Sequence, residues 1–175
     1  YCRMAADAGH VNGYLRLGAL YRDGAPGVEQ DAQSAVEAYE AAIALDSNLA
    51  RRSLAGLLIA GELVPADPQR AISLYREALE GGDPWGAISL ASVYRHGRGV
   101  DPDPQAAIAL LEPLAKEGNV SALIALGDLY RAGAPGFTPR PEEALELYRT
   151  AANEGNSTAA RRVADDTVRE QPAVL

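Results

Sequence analysis

The stretch LGALYRDGAPGV at Leu17–Val28 returns almost letter for letter as LGDLYRAGAPGF at Leu126–Phe137, 109 positions later. A duplicated binding loop would explain this, and so would a repeated structural unit. The residues between the two copies decide. Aligned on the first Leu, the chain gives Leu17, Leu54, Leu90 and Leu126, at spacings of 37, 36 and 36 residues. One position on stand Gly18, Ala55, Ala91 and Gly127, all tiny, and three further stand Tyr21, Leu58, Tyr94 and Tyr130. Gly24, Gly61, Gly97 and Gly133 close the segment.

A second set follows in each unit: Ala35, Ala71, Ala107 and Ala144, then Tyr39, Tyr75, Leu111 and Tyr148, then Ala42, Ala78, Leu114 and Ala151. Apolar or small residues recur at spacings of three and four in both sets, so each unit is two amphipathic helices. A period of this length is the signature of stacked helical hairpins. Asp67-Pro68, Asp83-Pro84 and Asp103-Pro104 place a capping carboxylate before a proline that needs no amide partner at the first helical position. Gly9, Gly81, Gly118 and Gly155 stand where the second helices end and are expected in the left-handed cap conformation. The GAPGV and GAPGF loops are then the turn inside a hairpin, with Val28 and Phe137 tucked beneath it. Pro113 interrupts the pattern in PQAAIALLEPLAKEG and predicts a kink, or a helix broken near Glu112.

At these positions the chain resembles the Sel1-like repeat family, with the related tetratricopeptide fold as the second reading. The ALDSN joint (Ala44–Asn48) is tetratricopeptide-like, and in the second unit Gly56 follows Ala55 and Leu58 replaces Tyr. The resemblance implies an all-α, right-handed superhelical solenoid of helix hairpins, with the first helices on the concave face. The units are 10–46, 47–82, 83–118 and 119–155. Residues 1–9 form the end of a preceding repeat, and 156–175 the first helix of a further one plus a tail. The chain reads as a piece of a longer protein. The implied function is a protein–protein interaction scaffold or adaptor, with bacterial cell-envelope (periplasmic) assemblies as the setting.

Composition narrows the chemistry. The 175 residues carry 16 basic and 24 acidic side chains, a net charge of −8, which disfavours nucleic acid or an anionic membrane as a partner. No apolar run reaches the ~20 residues a membrane helix needs. Cys2 is the only cysteine, so an intrachain disulfide is excluded. With His10 and His96 as the only histidines, no metal-ligating spacing arises. His10 takes the slot of Asn119 and Asn156 and reads as a cap. A Walker loop and a GxSxG elbow are missing. DPDP at Asp101–Pro104 lacks the spacing of a calcium loop, and Glu142 and Glu143 suit a first helical turn. An enzyme is not expected, and neither is a cofactor.

What remains is surface. Five residues after the repeat Leu the column reads Arg22, Ile59, Arg95, Arg131 and Val168; the next reads Asp23, Ala60, His96 and Ala132. Two after the Leu it reads Ala19, Gly56, Ser92 and Asp128, and near the helix starts lie Asn12, Leu49, Trp85 and Ser121. Stacked repeats stand about 10 Å apart, so Arg95 and Arg131 can grip neighbouring carboxylates of one extended, acidic protein partner. The alternative is that each pairs with an acid of its own surface. Trp85 is either an exposed anchor or packing against the preceding unit. The expected partner-binding set is therefore Arg22, Arg95, Arg131, Trp85, His96 and Asp128. A small-molecule or glycan-binding module in a cell-envelope or polysaccharide-export assembly is the competing reading; it needs aromatic platforms, and Trp85 and Tyr14 are the candidates.

Overall fold

The computed structural model describes Ala6 and residues 9–170, with side chains as far as residue 165. Among these residues the chain forms nine helices and no strand. They are α1 (Val11–Asp23), α2 (Ala32–Ala44), α3 (Asn48–Ala60), α4 (Pro68–Glu80), α5 (Pro84–His96), α6 (Pro104–Lys116), α7 (Val120–Ala132), α8 (Pro141–Asn153) and α9 (Ser157–Glu170). The segment read from sequence as the end of a preceding repeat lies outside the described residues, except at Ala6 and Gly9. So does the tail from residue 171.

Local chemistry sets the boundaries. Asp31, Ser47, Asp67, Asp103, Asn119 and Asn156 each accept a main-chain N–H three residues on, satisfying one orphan donor of the first turn. Asp83 accepts from Trp85 N at 3.0 Å. His10 stands at the N-cap of α1, but its side chain makes no capping bond. Arg140 holds the N-cap of α8 instead of an acid. Its guanidinium lies over Phe137 at 5.0 Å and Tyr130 at 5.6 Å, while Glu142 and Glu143 supply negative charge to the first turn.

The helix ends correct one expectation. Gly9, Gly118 and Gly155 have positive φ, but in the second repeat the left-handed residue is Gly82 (φ 85°) and not Gly81. Gly81 is small for another reason: Asn48 Nδ2 donates to its carbonyl at 2.8 Å, and a Cβ there would lie 2.5 Å from the Asn48 side chain. In the ALDSN joint, Asp46 (φ 62°) takes the left-handed slot. It is the only non-glycine residue with positive φ among those described. The paired hairpin turns form as read, with Ala25 and Val28 exchanging main-chain bonds at 2.9 and 2.8 Å and Ala134 and Phe137 doing likewise. Phe137 is buried beneath its turn, while Val28 is partly exposed. Helix α6 runs unbroken through Pro113, so no break occurs at Glu112. Pro113 opens the last turn, so the cost is its own missing bond to the Ala109 carbonyl and the crowding there, and the helix closes soon after.

Two compact units divide the chain, Tyr1–Ser89 and Leu90–Leu175, the division falling inside α5. In the first unit α1 packs on α2, α2 on α3, and α3 on α4. In the second α6 packs on α7, α7 on α8, and α8 on α9. Both cores use the same repeat positions. Ala35 and Ala71 in one, and Ala107 and Ala144 in the other, are fully buried contact points where helices approach closely. Leu54, Leu90 and Leu126 occupy equivalent buried places. Leu17 is only partly buried, and the segment preceding α1 is described only at Ala6, Gly9 and His10.

The tiny column after each Leu has a steric cause. A Cβ on Gly18 would lie 2.6 Å from the Tyr39 ring, and one on Gly127 would lie 2.7 Å from the Tyr148 ring. Both tyrosines are essentially fully buried. The second repeat has Ala55 together with Tyr75. There the next residue is Gly56, and the Tyr75 hydroxyl lies 3.7 Å from where its Cβ would be. That is ordinary contact distance, so the Tyr75 ring does not itself demand a glycine at position 56.

Candidate functional site

In the second unit, α5, α7, α8 and α9 bring five polar or aromatic side chains together. Asp128, near the middle of α7, is half-buried, and its Oδ1 accepts the Tyr148 hydroxyl at 2.6 Å and a guanidinium N–H of Arg162. Arg95 reaches from the last turn of α5 to donate through Nη2 to the Asp128 main-chain carbonyl at 2.8 Å. The guanidinium carbons of Arg131 and Arg162 lie 5.8 and 5.3 Å from the centre of the Tyr148 ring, within cation–π range. Tyr148 is therefore core at its ring and site at its hydroxyl.

The electrostatics show crowded positive charge. Burial pushes the Arg95 pKa down, and nearby Arg131 pushes it further, against an opposing influence from Tyr148. Arg162 is also shifted down, by burial first and then by the charge of Arg95. Arg95 forms no ion pair with a carboxylate among the described residues; its bonded acceptor is a neutral carbonyl. A half-buried guanidinium with five donors and such a partner retains capacity for an anion.

The first unit is arranged differently. Arg22 closes both arms of its fork on its neighbour Asp23, Nε to Oδ1 and Nη2 to Oδ2, each at 2.7 Å. This hydrogen-bonded pair raises the Arg22 pKa and holds the Asp23 carboxyl below the usual range. Trp85 is 48% exposed, with the Arg52 guanidinium 5.9 Å from its ring. Asp83 holds that arrangement. One of its oxygens caps Trp85 N and the other pairs with Arg52 Nε at 2.8 Å. Arg22, Arg52, Ser53 and Gly56 border an open groove of about 530 Å³.

Of the six residues singled out from sequence, Arg95, Asp128 and Arg131 come together. His96 follows Arg95 but is exposed, its Nδ1 2.8 Å from the Ser92 carbonyl one turn back. Arg22 and Trp85 belong to the first unit, and Arg22 already has the acid of its own surface that the alternative reading foresaw. Sequence reasoning missed Arg162, Tyr148 as a hydrogen-bond donor, and Arg52. Arg162 precedes the repeat Leu position in a column reading Arg16, Ser53, Ser89, Ala125 and Arg162, which shows no pattern. Only the partner position, Asp128 in an otherwise small column, carried a signal.

Among the described residues no cluster of His, Cys, Asp and Glu is suited to a metal ion, and no helix is long and apolar enough to cross a membrane. Of the two aromatic platforms considered for a sugar, Trp85 is exposed and Tyr14 is partly buried.

Helical hairpins repeated at one pitch, with charged and aromatic side chains standing out from their first helices, define a repeat scaffold. The family pattern agrees. The Sel1 repeat matches at residues 11–47, 48–83, 86–119 and 120–156, and the chain belongs to the Sel1 repeat family. Sel1 repeats commonly serve as protein-binding scaffolds and are generally non-catalytic. Among solved structures, the chain is similar to a protective antigen of uropathogenic Escherichia coli with the same repeat fold. Their identity is 26% and the TM-score 0.72, over 98% of this chain and 36% of that one. A Sel1 repeat protein from Oxalobacter formigenes is 32% identical with a TM-score of 0.70, over 90% of this chain and 64% of that one. An immunity protein from Pseudomonas aeruginosa, 24% identical with a TM-score of 0.57, shares the fold. The chain therefore spans less than two thirds of the length of each of these relatives. No curated protein matches the chain.

Proposed function

We propose that this protein is a docking scaffold whose first helices bind an extended, acidic segment of a partner protein. Arg95 and Arg131 supply the polar grip in the second unit, with Asp128 and His96 beside them. In the first unit Trp85 offers an apolar anchor, and Arg22 contributes once its fork opens from Asp23. The observation that carries the reading is Arg95, a half-buried guanidinium bonded to a carbonyl and paired with no carboxylate among the described residues. Family membership supports the protein-binding class. Forked, charge-assisted bonds favour carboxylates over neutral groups.

The test uses two labelled peptides of equal length, one alternating Glu with Ser and one alternating Gln with Ser, followed by fluorescence anisotropy. The Glu peptide is expected to bind, to weaken as salt rises, and to weaken by about tenfold or more in Arg95→Glu. Equal binding of both peptides, or an unchanged Glu-peptide affinity in Arg95→Glu and Arg131→Glu, would reject the reading.

A further inference from the structure

Resting on that reading, we infer that Asp128 is a built-in occupant of the site, a carboxylate that holds Arg162 and the Tyr148 hydroxyl until a partner's aspartate or glutamate side chain replaces it.

Asp128 is where a ligand carboxylate would be. Its side chain receives the Tyr148 hydroxyl at 2.6 Å and a guanidinium N–H of Arg162, and its carbonyl receives Arg95. The surrounding positive groups oppose one another: Arg131 destabilises charge on Arg95, and Arg95 destabilises charge on Arg162. A carboxylate among them relieves that repulsion, whether it comes from the chain or from outside.

The repeat does not require an acid at this position. The equivalent residues are Ala19, Gly56 and Ser92. In the first repeat Tyr39 takes the place of Tyr148 and is 1% exposed, with its hydroxyl lacking a hydrogen-bond partner at proper geometry. Ser53 stands near enough to oppose the burial that pushes the Tyr39 pKa up. The fold thus forms without the tyrosine–aspartate bond, and Asp128 is specific to the fourth repeat. It is also reachable. The Asp128 and Arg162 side chains are 26% and 22% exposed, so exchange needs a rotamer change and no opening of the core.

The class of ligand follows from the occupant. The Tyr148 hydroxyl and an Arg162 N–H converge on one carboxylate oxygen, Asp128 Oδ1, and an incoming carboxylate offers the same single-oxygen acceptor at the same charge. A tetrahedral phosphate differs in size and charge. Asp128 thereby sets the threshold of the site: apparent affinity is reduced by the fraction of time in which the internal carboxylate is bound.

The test titrates the labelled Glu/Ser peptide into the whole chain as wild type, as Asp128→Asn, and as Asp128→Ser, the residue that the third repeat carries there. A phosphoserine peptide provides the comparison ligand. Circular dichroism and thermal midpoints confirm that each variant is folded. Both variants are expected to bind the Glu peptide roughly three- to tenfold more tightly than wild type, with a smaller gain for the phosphoserine peptide. If folded Asp128→Asn and Asp128→Ser bind equally or more weakly while Arg95→Glu abolishes binding, displacement is wrong and the scaffold reading stands. If the gain is larger for phosphoserine, the carboxylate assignment is wrong. If Arg95→Glu and Arg162→Glu leave binding unchanged, both the inference and the reading beneath it fail. Should the Asp128 variants not fold, side-chain NMR of the wild type decides: acidic peptide must shift the Arg162 Nε–H resonance, and no shift at saturation refutes displacement.

Discussion

Gly127→Ala tests the steric logic of the repeat most sharply. The added methyl would lie 2.7, 3.0 and 3.1 Å from three atoms of the Tyr148 ring. That ring cannot retreat easily, because it is fully buried and its hydroxyl is bonded to Asp128. Overpacking of this kind costs about 1–3 kcal/mol. Replacing a helical glycine by alanine returns about 1 kcal/mol, so the expected net loss is up to about 2 kcal/mol. In the second repeat Ala55 stands beside Tyr75 with Gly56 next to the hydroxyl end; in the fourth repeat that place is Asp128. The third repeat pairs Ala91 with Leu111, which suggests the rescue. Tyr148→Leu alone loses ring packing and a hydrogen bond, about 2–4 kcal/mol. The double substitution should be less destabilised than the sum by about 1–2 kcal/mol, as expected for residues in contact. Urea unfolding of the four proteins measures the cycle. Additive losses, or a Gly127→Ala protein more stable than wild type, would refute the idea that the small column exists to admit an aromatic ring.

Other consequences follow from the same structure. Asp23 and Asp31 are both held below the usual carboxylate range, by Arg22 and by Ser34 respectively. Their contribution is present above the unfolded value of about 3.9 and is lost as pH falls through the lower folded values. Urea midpoints should therefore drop between about pH 5 and pH 2, and Asp31→Asn should flatten part of that drop; an unaltered pH profile would contradict it. Pro113→Ala restores a donor and relieves crowding in the last turn of α6, so it should raise stability by about 1–3 kcal/mol, and a decrease would show that the proline is needed there. Trp85→Ala should cost about 0.5–1 kcal/mol through its contact with Arg52, and the indole should be readily quenched by acrylamide. A loss above about 3 kcal/mol or a shielded indole would mean that the ring is packed.

The fold was legible because it was written four times. Leu54, Leu90 and Leu126, the alanines at close contacts, and the Asp-Pro and Asn caps each recur at one pitch, and the pitch alone fixes their places. The left-handed helix ends were also within reach: Gly9, Asp46, Gly82, Gly118 and Gly155 stand 37, 36, 36 and 37 residues apart, so the pitch itself selects Gly82 over Gly81 and puts Asp46 in the glycine column. Pro113 is different. No other repeat carries a proline there, so no neighbour in sequence shows how the helix absorbs it. The site shows the same division. Arg95 and Arg131 share a column and could be found. Arg162 meets Asp128 across 34 residues through side-chain reach, which no periodicity encodes. Arg22 shared the arginine column yet folds back on the adjacent Asp23, because a fork one residue away is easier to close than one on a partner.

The central claim, that the first helices offer an arginine-based docking surface, is tested most directly by NMR of the labelled protein with the Glu/Ser peptide. The account predicts that the largest shifts fall on the side chains of Arg95, Asp128, Arg131 and Arg162 in the second unit. Shifts centred instead on second-helix residues such as Glu146 and Arg149, or none at saturating peptide, would contradict it.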